Sequence, residues 1–183
     1  LSIEIDESRV TNETTIRRAT MADASSLAAI SLEVWLHTYI REGVNAFFAD
    51  YALEQFTTAR FEEILRDGYE TVWVSQNAVG IDGFLRMSAN SQAPVDIASE
   101  LEITTLYVQP RHHGRGLGKA LLKTGLQFCL DTGRPSTWLA VNAENEKATA
   151  FYLANGFEMA GQTHFIIGDQ AYPNHVLQFR LNR

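Results

Sequence analysis

Cysteine is nearly absent: the 183 residues include one, Cys129. A single thiol closes no internal disulfide, and nothing near it offers the paired Cys/His spacing of a zinc site. A reducing, cytoplasmic setting fits this usage. No apolar run approaches the ~18 residues of a membrane span. The opening stretch, LSIEIDESRVTNETT, carries early acids where a signal peptide carries basic and then apolar residues. Export and membrane insertion are therefore not expected. Basic residues are also outnumbered, 15 Lys and Arg against 22 Asp and Glu, for a net charge of -7. A nucleic-acid binder needs a basic face, so that class is excluded, whereas a cationic small substrate would be attracted. Repeats, low-complexity tracts and interdomain linkers are missing too. What is present, 45% hydrophobic and 20% charged residues, is the composition of an ordinary folded protein. The length fits one domain, taken as residues 14–183 after a polar arm over 1–13.

Along the chain, TIRRAT reads as a short strand, and Asp23 or a nearby Ser/Thr caps a helix over ASSLAAISLEVWLHTYI. A second helical stretch, about Asn45 to Leu65, ends before the turn pair Asp67-Gly68. TVWVS and GFLRMS form a hairpin around QNAVG, and ANSQAPVDIAS is a loop. In Leu101–Val108 both alternating sets, Leu101/Ile103/Thr105/Tyr107 and Glu102/Thr104/Leu106/Val108, are substantially apolar, as in a central strand. A helix (GLGKALLKTGLQFCLDTGR), a strand (STWLAV), a helix (NEKATAFYLANG) and two strands complete a mixed α/β layer structure.

Glycine is concentrated where that central strand hands over to a helix, in TTLYVQPRHHGRGLGKALL. Gly114, Gly116 and Gly118 leave the main chain bare, and amides opening a helix point toward an anion, so a phosphate or diphosphate cradle is expected. Spacing excludes two familiar cradles. Gly114 is one residue too close to Gly118-Lys119 for a nucleotide-hydrolase loop, and Ala120 offers magnesium no hydroxyl. The dinucleotide fingerprint would need glycine at Lys119 or Leu121. A bare turn without a ligand is the remaining alternative.

LYVQPRHHGRGLGKALL resembles the acyl-coenzyme A signature of the GCN5-related N-acetyltransferase (GNAT) family, in which Val-x-Pro leads into Q/R-x-x-G-x-G/A and a helix. His113 stands at the Gln/Arg position. WLAVNAENEKATAFYLANGFEMAG resembles the family's second signature, N-x-x-A-x-x-x-Y-x-x-x-G-F, in the right order and spacing. Asn145, Ala148 and Tyr152 also share one helix face over about 10 Å; taken singly, Asn145 would read as a cap and Tyr152 as core. The resemblance, over roughly 16–181, implies a mixed, mostly antiparallel sheet flanked by helices, with a splayed central strand pair. It implies acetyl-CoA as the coenzyme and no metal. The coenzyme is then expected on Leu106, Tyr107, Val108, Arg111 and His113, and on the turn Gly114, Arg115, Gly116, Leu117, Gly118 and Lys119. Asn145, Ala148 and Tyr152 line its other side.

Acyl transfer from a thioester to an amine poses three problems. The ammonium, with a pKa around 10, must lose a proton, and Glu102 inside the central strand is the candidate base. A carboxylate tied to an arginine or lying at an exposed strand end is the alternative for Glu102. The thioester oxygen gains negative charge, for which the Val108 amide is the candidate donor. The thiolate leaves more readily if protonated, and Tyr152 matches the family's general acid. Cys129 lies in an apolar helical segment without an adjacent histidine or cation, so direct attack in a ternary complex is preferred to an acyl-cysteine step. The five histidines form no H-x-x-x-H pair.

Trp35 and Tyr39 are the candidate acceptor residues, with Glu42, Asp50 and the aromatics of REGVNAFFADY nearby; core packing is the alternative for Trp35, Phe47 and Phe48. The segment GFEMAGQTHFIIGDQAYPNHVLQF is similar to that of family members acting on polyamines and other small amines. The expected function is therefore transfer of acetyl to a primary amine of a small molecule. Peptide or protein N-terminal or lysine acetylation is one alternative, and a non-catalytic acyl-CoA-binding sensor is another. Family members often dimerise, so a homodimer fits the resemblance.

Overall fold

The computed structural model describes residues 14–40 and 42–181, so the arm over 1–13 lies outside the described residues. Its strands are β1 (Thr15–Arg18), β2 (Glu70–Gln76), β3 (Ile81–Ala89), β4 (Leu101–Val108), β5 (Ser136–Asn142), β6 (Glu158–Ile167) and β7 (Gln170–Arg180). The helices are α1 (Ala24–Tyr39), α2 (Ala46–Gln55), α3 (Thr58–Arg66), α4 (Leu117–Asp131) and α5 (Glu146–Ala154). The strands form one sheet in the order β1-β2-β3-β4-β5-β7-β6. Every neighbouring pair is antiparallel except β4 and β5. This is the mixed, mostly antiparallel α/β architecture expected from the sequence. No helix among the described residues is long and apolar enough to cross a membrane.

Alternation along each strand sends side chains to two cores. On the front face, Val72, Val74, Phe84 and Tyr107 pack under α1 and α3 with Leu27, Ile30 and Phe61. On the back face, Trp73, Leu85, Met87, Leu101, Ile103 and Val108 pack under α4 and α5 with Leu121, Leu122 and Tyr152. A third cluster, on the front, joins α1 and α2 to the β6–β7 hairpin through Trp35, Ala52, Phe165, Ile167 and Tyr172.

Two expectations are corrected. The helical stretch over 45–65 is two helices: the Asn45 side chain accepts from the Phe48 amide to start α2, and Thr57 accepts from the Arg60 amide to start α3. A capping hydroxyl inside an apolar-periodic run ends one helix and begins the next. The two faces assigned to β4 also change. Arg86 pairs with Thr105 but Met87 pairs with Ile103, so Thr104 is an extra residue in a β-bulge. Leu101 and Ile103 therefore share the back face with Leu106 and Val108, whereas Glu102 and Tyr107 look to the front. Both alternating sets contain apolar residues because the parity switches inside the strand.

The start of α1 is fixed by charge. Asp23 caps less through its own helix than backward: its carboxylate accepts from Arg17 at 2.8 and 2.9 Å and from the Thr20 amide at 2.7 Å. The Arg17 guanidinium holds the Asp23 carboxyl down at about 2, below its ordinary 3.8. Hydrogen bonds to a charged partner are worth about 2 kcal/mol, so Asp23→Asn is expected to lower neutral-pH stability by that order. A depressed carboxyl stabilises above its unfolded pKa, and that stabilisation fades as pH falls from 3.8 toward about 2. Urea titrations check this: the gap between the two proteins should shrink toward zero below about pH 2, and a gap that persists unchanged would clear the pair of responsibility.

Candidate active site

β4 and β5 touch at one register pair, Glu102 opposite Trp138, reinforced where the Thr137 hydroxyl donates to the Leu101 carbonyl at 2.9 Å. Beyond that point β5 follows β7 as far as Asn142, and β4 goes on alone with β3. The strands are splayed, as expected. The register identifies which backbone groups face the gap. Gln109 donates to the Asp82 carbonyl at 2.9 Å, and Gly83 pairs with Val108. Hydrogen-bonded and non-bonded pairs alternate in an antiparallel ladder, so Tyr107 bonds Phe84 while Leu106 and Val108 turn their amides and carbonyls toward the departed β5. The Val108 carbonyl meets His113 Nε2 at 2.8 Å. The Val108 amide is left directed into the gap.

At the back end of the gap, a short 3-10 turn over Pro110–His112 leads to two glycines in the left-handed region, Gly114 at φ 75° and Gly116 at φ 82°. A Cβ on either would meet nothing within 4 Å. Left-handed backbone with open space above it, at the start of α4, is a cradle for an anion: the first-turn amides have no carbonyl partner in their own helix. Gly118 has a different reason to be small, since a Cβ there would lie 3.6 Å from Phe151 on α5. Arg111 is turned away from the cradle onto Glu33 of α1 at 2.9 Å, where Gln109 also donates at 2.6 Å. Arg115 lies beside His112, and Leu117 and the exposed Lys119 occupy the first turn of α4.

α5 forms the other wall. Asn145 Oδ1 accepts from the Ala148 amide at 3.1 Å, so this oxygen is spent on capping. Ala148 packs on the back core, and Tyr152 is buried between Phe151 and Phe157, ring centroids 5.3 and 5.5 Å away. Burial alone pushes the Tyr152 phenol above the ordinary tyrosine range. It holds its proton throughout neutral pH.

The front end carries Glu102, whose carboxyl is raised chiefly by burial, with a further push from Glu70, while Ser91 and Arg86 pull it down. Arg86 does not pair with Glu102: it binds Glu70 with two contacts of 2.8 Å. Trp35 is 3% exposed and belongs to the core, in contact with Tyr39, Phe48 and Tyr51. Burial raises the half-buried Tyr39 phenol and a hydrogen bond with Asn142 at the end of β5 draws it back, while the half-buried Tyr107 ring packs edge-on to Phe84 in the front core. Tyr107, expected to contact the coenzyme, bonds Phe84 through its backbone and turns its ring to the front core. Glu42 and Asp50 are exposed.

Cys129 is fully buried in α4, and burial pushes its thiol up to about 11, which removes it as a nucleophile at neutral pH. Among the described residues no three His, Cys, Asp or Glu side chains gather in a metal-holding group. Sequence reasoning missed Asn142 and Ser91, which no motif marks.

The pattern described as the Acetyltransferase (GNAT) family matches residues 35–157 of this sequence, spanning both glycine turn and Tyr152 helix. The chain belongs to the GNAT family. An uncharacterized N-acetyltransferase of Mycobacterium tuberculosis is 27% identical over 157 residues, covering 86% of this chain and 97% of the relative. Among solved structures, the PaiA N-acetyltransferase of Thermoplasma acidophilum in complex with coenzyme A superposes with a TM-score of 0.76 at 18% identity, over 92% of this chain and 99% of that one. YncA of Salmonella typhimurium, a putative acetyltransferase solved with acetyl-CoA, gives 0.67 at 20% identity, over 93% and 95%. These two likenesses are of fold.

Proposed function

We propose that this GNAT chain moves an acetyl group from acetyl-CoA to a primary amine of a small molecule, by direct attack in a ternary complex. One observation carries the reading: a single gap between β4 and β5 has an open glycine cradle and a buried phenol at its back and a half-buried carboxylate at its front. The residues fit the coenzyme, because Gly114 and Gly116 keep clear the space in which a diphosphate would meet the amides of α4. Leu106 would hold an extended amide-bearing arm through its free backbone groups, as an added strand would.

Acetyl-CoA supplies the activated acyl group as a thioester. Glu102 accepts a proton from the ammonium of the acceptor, directly or through water, and its raised pKa improves it as a base. The Val108 amide offers a fixed donor to an oxygen that becomes negative. Tyr152 supplies the proton that a departing thiolate needs, and the phenol is suited to this because burial keeps it protonated. The front wall supports a small acceptor: Phe48 lies 6.3 Å from Tyr172 and Tyr51 lies 5.9 Å from Phe165, so α2 and the β6–β7 hairpin close over that end.

Thiol release with acetyl-CoA and a panel of small amines and peptides tests the reading. Turnover with small primary amines is expected. Turnover with peptides alone would transfer the assignment to peptide acetylation, and tight acetyl-CoA binding without turnover on any acceptor would make the chain a coenzyme-holding protein. Glu102→Gln is expected to lower kcat/KM by roughly a hundredfold and to remove the low-pH limb of the pH-rate profile. An unchanged profile would eliminate Glu102 as the base.

A further inference from the structure

We propose that Ser91, delivered by a strap over residues 90–100, is a positioning residue that holds one carboxylate oxygen of Glu102 and leaves the other to the acceptor amine. The inference rests on the reading of Glu102 as the base. β3 ends at Ala89, and Asn90 follows at φ 63°, the only non-glycine residue in the left-handed region among the described residues. Asparagine tolerates that conformation better than most side chains. The reversal delivers Ser91 to the one place where β4 and β5 still touch.

There every polar group of Ser91 is used. Its hydroxyl donates to Glu102 Oε2, its carbonyl accepts from Trp138 Nε1 at 2.9 Å, and its amide donates to the Glu100 carbonyl at 2.9 Å. Trp138 is the residue opposite Glu102 in the register, so one serine ties together the candidate base and its neighbour across the strand pair. The remainder of the strap is anchored independently. Ser136 donates to the Ala98 carbonyl at 3.2 Å, and Val95 is seated on Gly161 of β6, where a Cβ would come within 2.8 Å of it. Val95 and Gly161 lie on the front face, so the strap crosses the sheet on the side of the acceptor. Glu102 thus has the strap beside it, and only its Oε2 is held by it.

The charges facing Glu102 are few. β2 and β3 contribute Glu70 and Arg86, which are bound to each other, β5 contributes the uncharged Trp138, and the strap contributes the Ser91 hydroxyl. An O–H donor stabilises the carboxylate form, so its loss makes Glu102 harder to ionise.

Ser91→Ala, Ser91→Thr, Glu102→Gln and the double variant S91A/E102Q test this through kcat/KM against pH, coenzyme A affinity by calorimetry, and thermal midpoint. S91A is expected to lose about tenfold in kcat/KM at neutral pH, with the low-pH limb moved to higher pH and coenzyme A affinity unchanged. S91T should restore both, and S91A/E102Q should be no slower than E102Q. If E102Q removes the limb but S91A leaves rate and limb as in the parent, Ser91 only fastens the strap and the proposal fails. A limb shift that S91T does not reverse would overturn the hydroxyl as its cause. If E102Q itself keeps the parent limb, the assignment of Glu102 fails, and this proposal with it. Should S91A not fold, Ser91→Cys, of similar size with a weak donor, gives the same comparison.

Discussion

Replacing Gly116 with valine is expected to lower coenzyme A affinity by roughly a hundredfold, about the loss of one strong hydrogen bond to a charged group. Two effects combine. Gly116 sits at φ 82° at the entrance to α4, a conformation that a β-branched residue adopts only with strain. Its notional Cβ also projects into space that no protein atom occupies within 4 Å, the volume assigned to a diphosphate. Strain alone would cost stability without selecting against the ligand. Gly133 separates the two: it has φ 67° and an equally open Cβ position, but it follows the other end of α4. Gly133→Val should reduce the thermal midpoint much as G116V does and leave calorimetric coenzyme affinity intact. If G116V retains parental affinity, the cradle lies elsewhere. If both variants lose affinity equally, strain is the cause.

Tyr152→Phe is expected to slow turnover by about a hundredfold, the usual contribution of a positioned acid, with little change in coenzyme A affinity. The structure makes this substitution clean. The ring packs between Phe151 and Phe157 whether or not it carries a hydroxyl, and burial is the only influence on its phenol. Removing the oxygen therefore leaves no protein partner unpaired. Because burial raises the phenol, the parent enzyme should show no loss of rate from Tyr152 ionisation as pH passes through the ordinary tyrosine range. Single-turnover measurements that find Y152F as fast as the parent would assign the sulfur's proton to another group.

The parts of this site that were legible in the sequence are those held by local geometry. Gly114 and Gly116 announce a bare turn because glycine's freedom is a property of one residue, and Asn145 to Tyr152 lie along one face of one helix. The strand–helix order follows from periodicity in the same way. What the sequence could not show depends on partners far along the chain. Ser91 and Trp138 are forty-seven positions apart, and no local signal marks the serine that meets Glu102. Gln109 and Arg111 converge on Glu33 across seventy-six and seventy-eight positions, which takes a side chain expected at the coenzyme and fastens it to α1. The division between α2 and α3 was legible in principle, through Thr57, but the apolar pattern on both sides masked it.

The extra residue in β4 has a bearing on how this strand tolerates change. Ahead of Thr104, the even position 102 bears the polar, front-facing side chain and odd ones are packed; past it, the odd positions 105 and 107 face the front, and Leu106 and Val108 take over the packing. Excising Thr104 would thus join Ile103 directly to Thr105, restore an unbroken alternation and leave both halves facing as they do now, whereas excising any neighbour would keep two successive residues in competition for one face. Substitution scans along the strand should register as two frames, out of step by one.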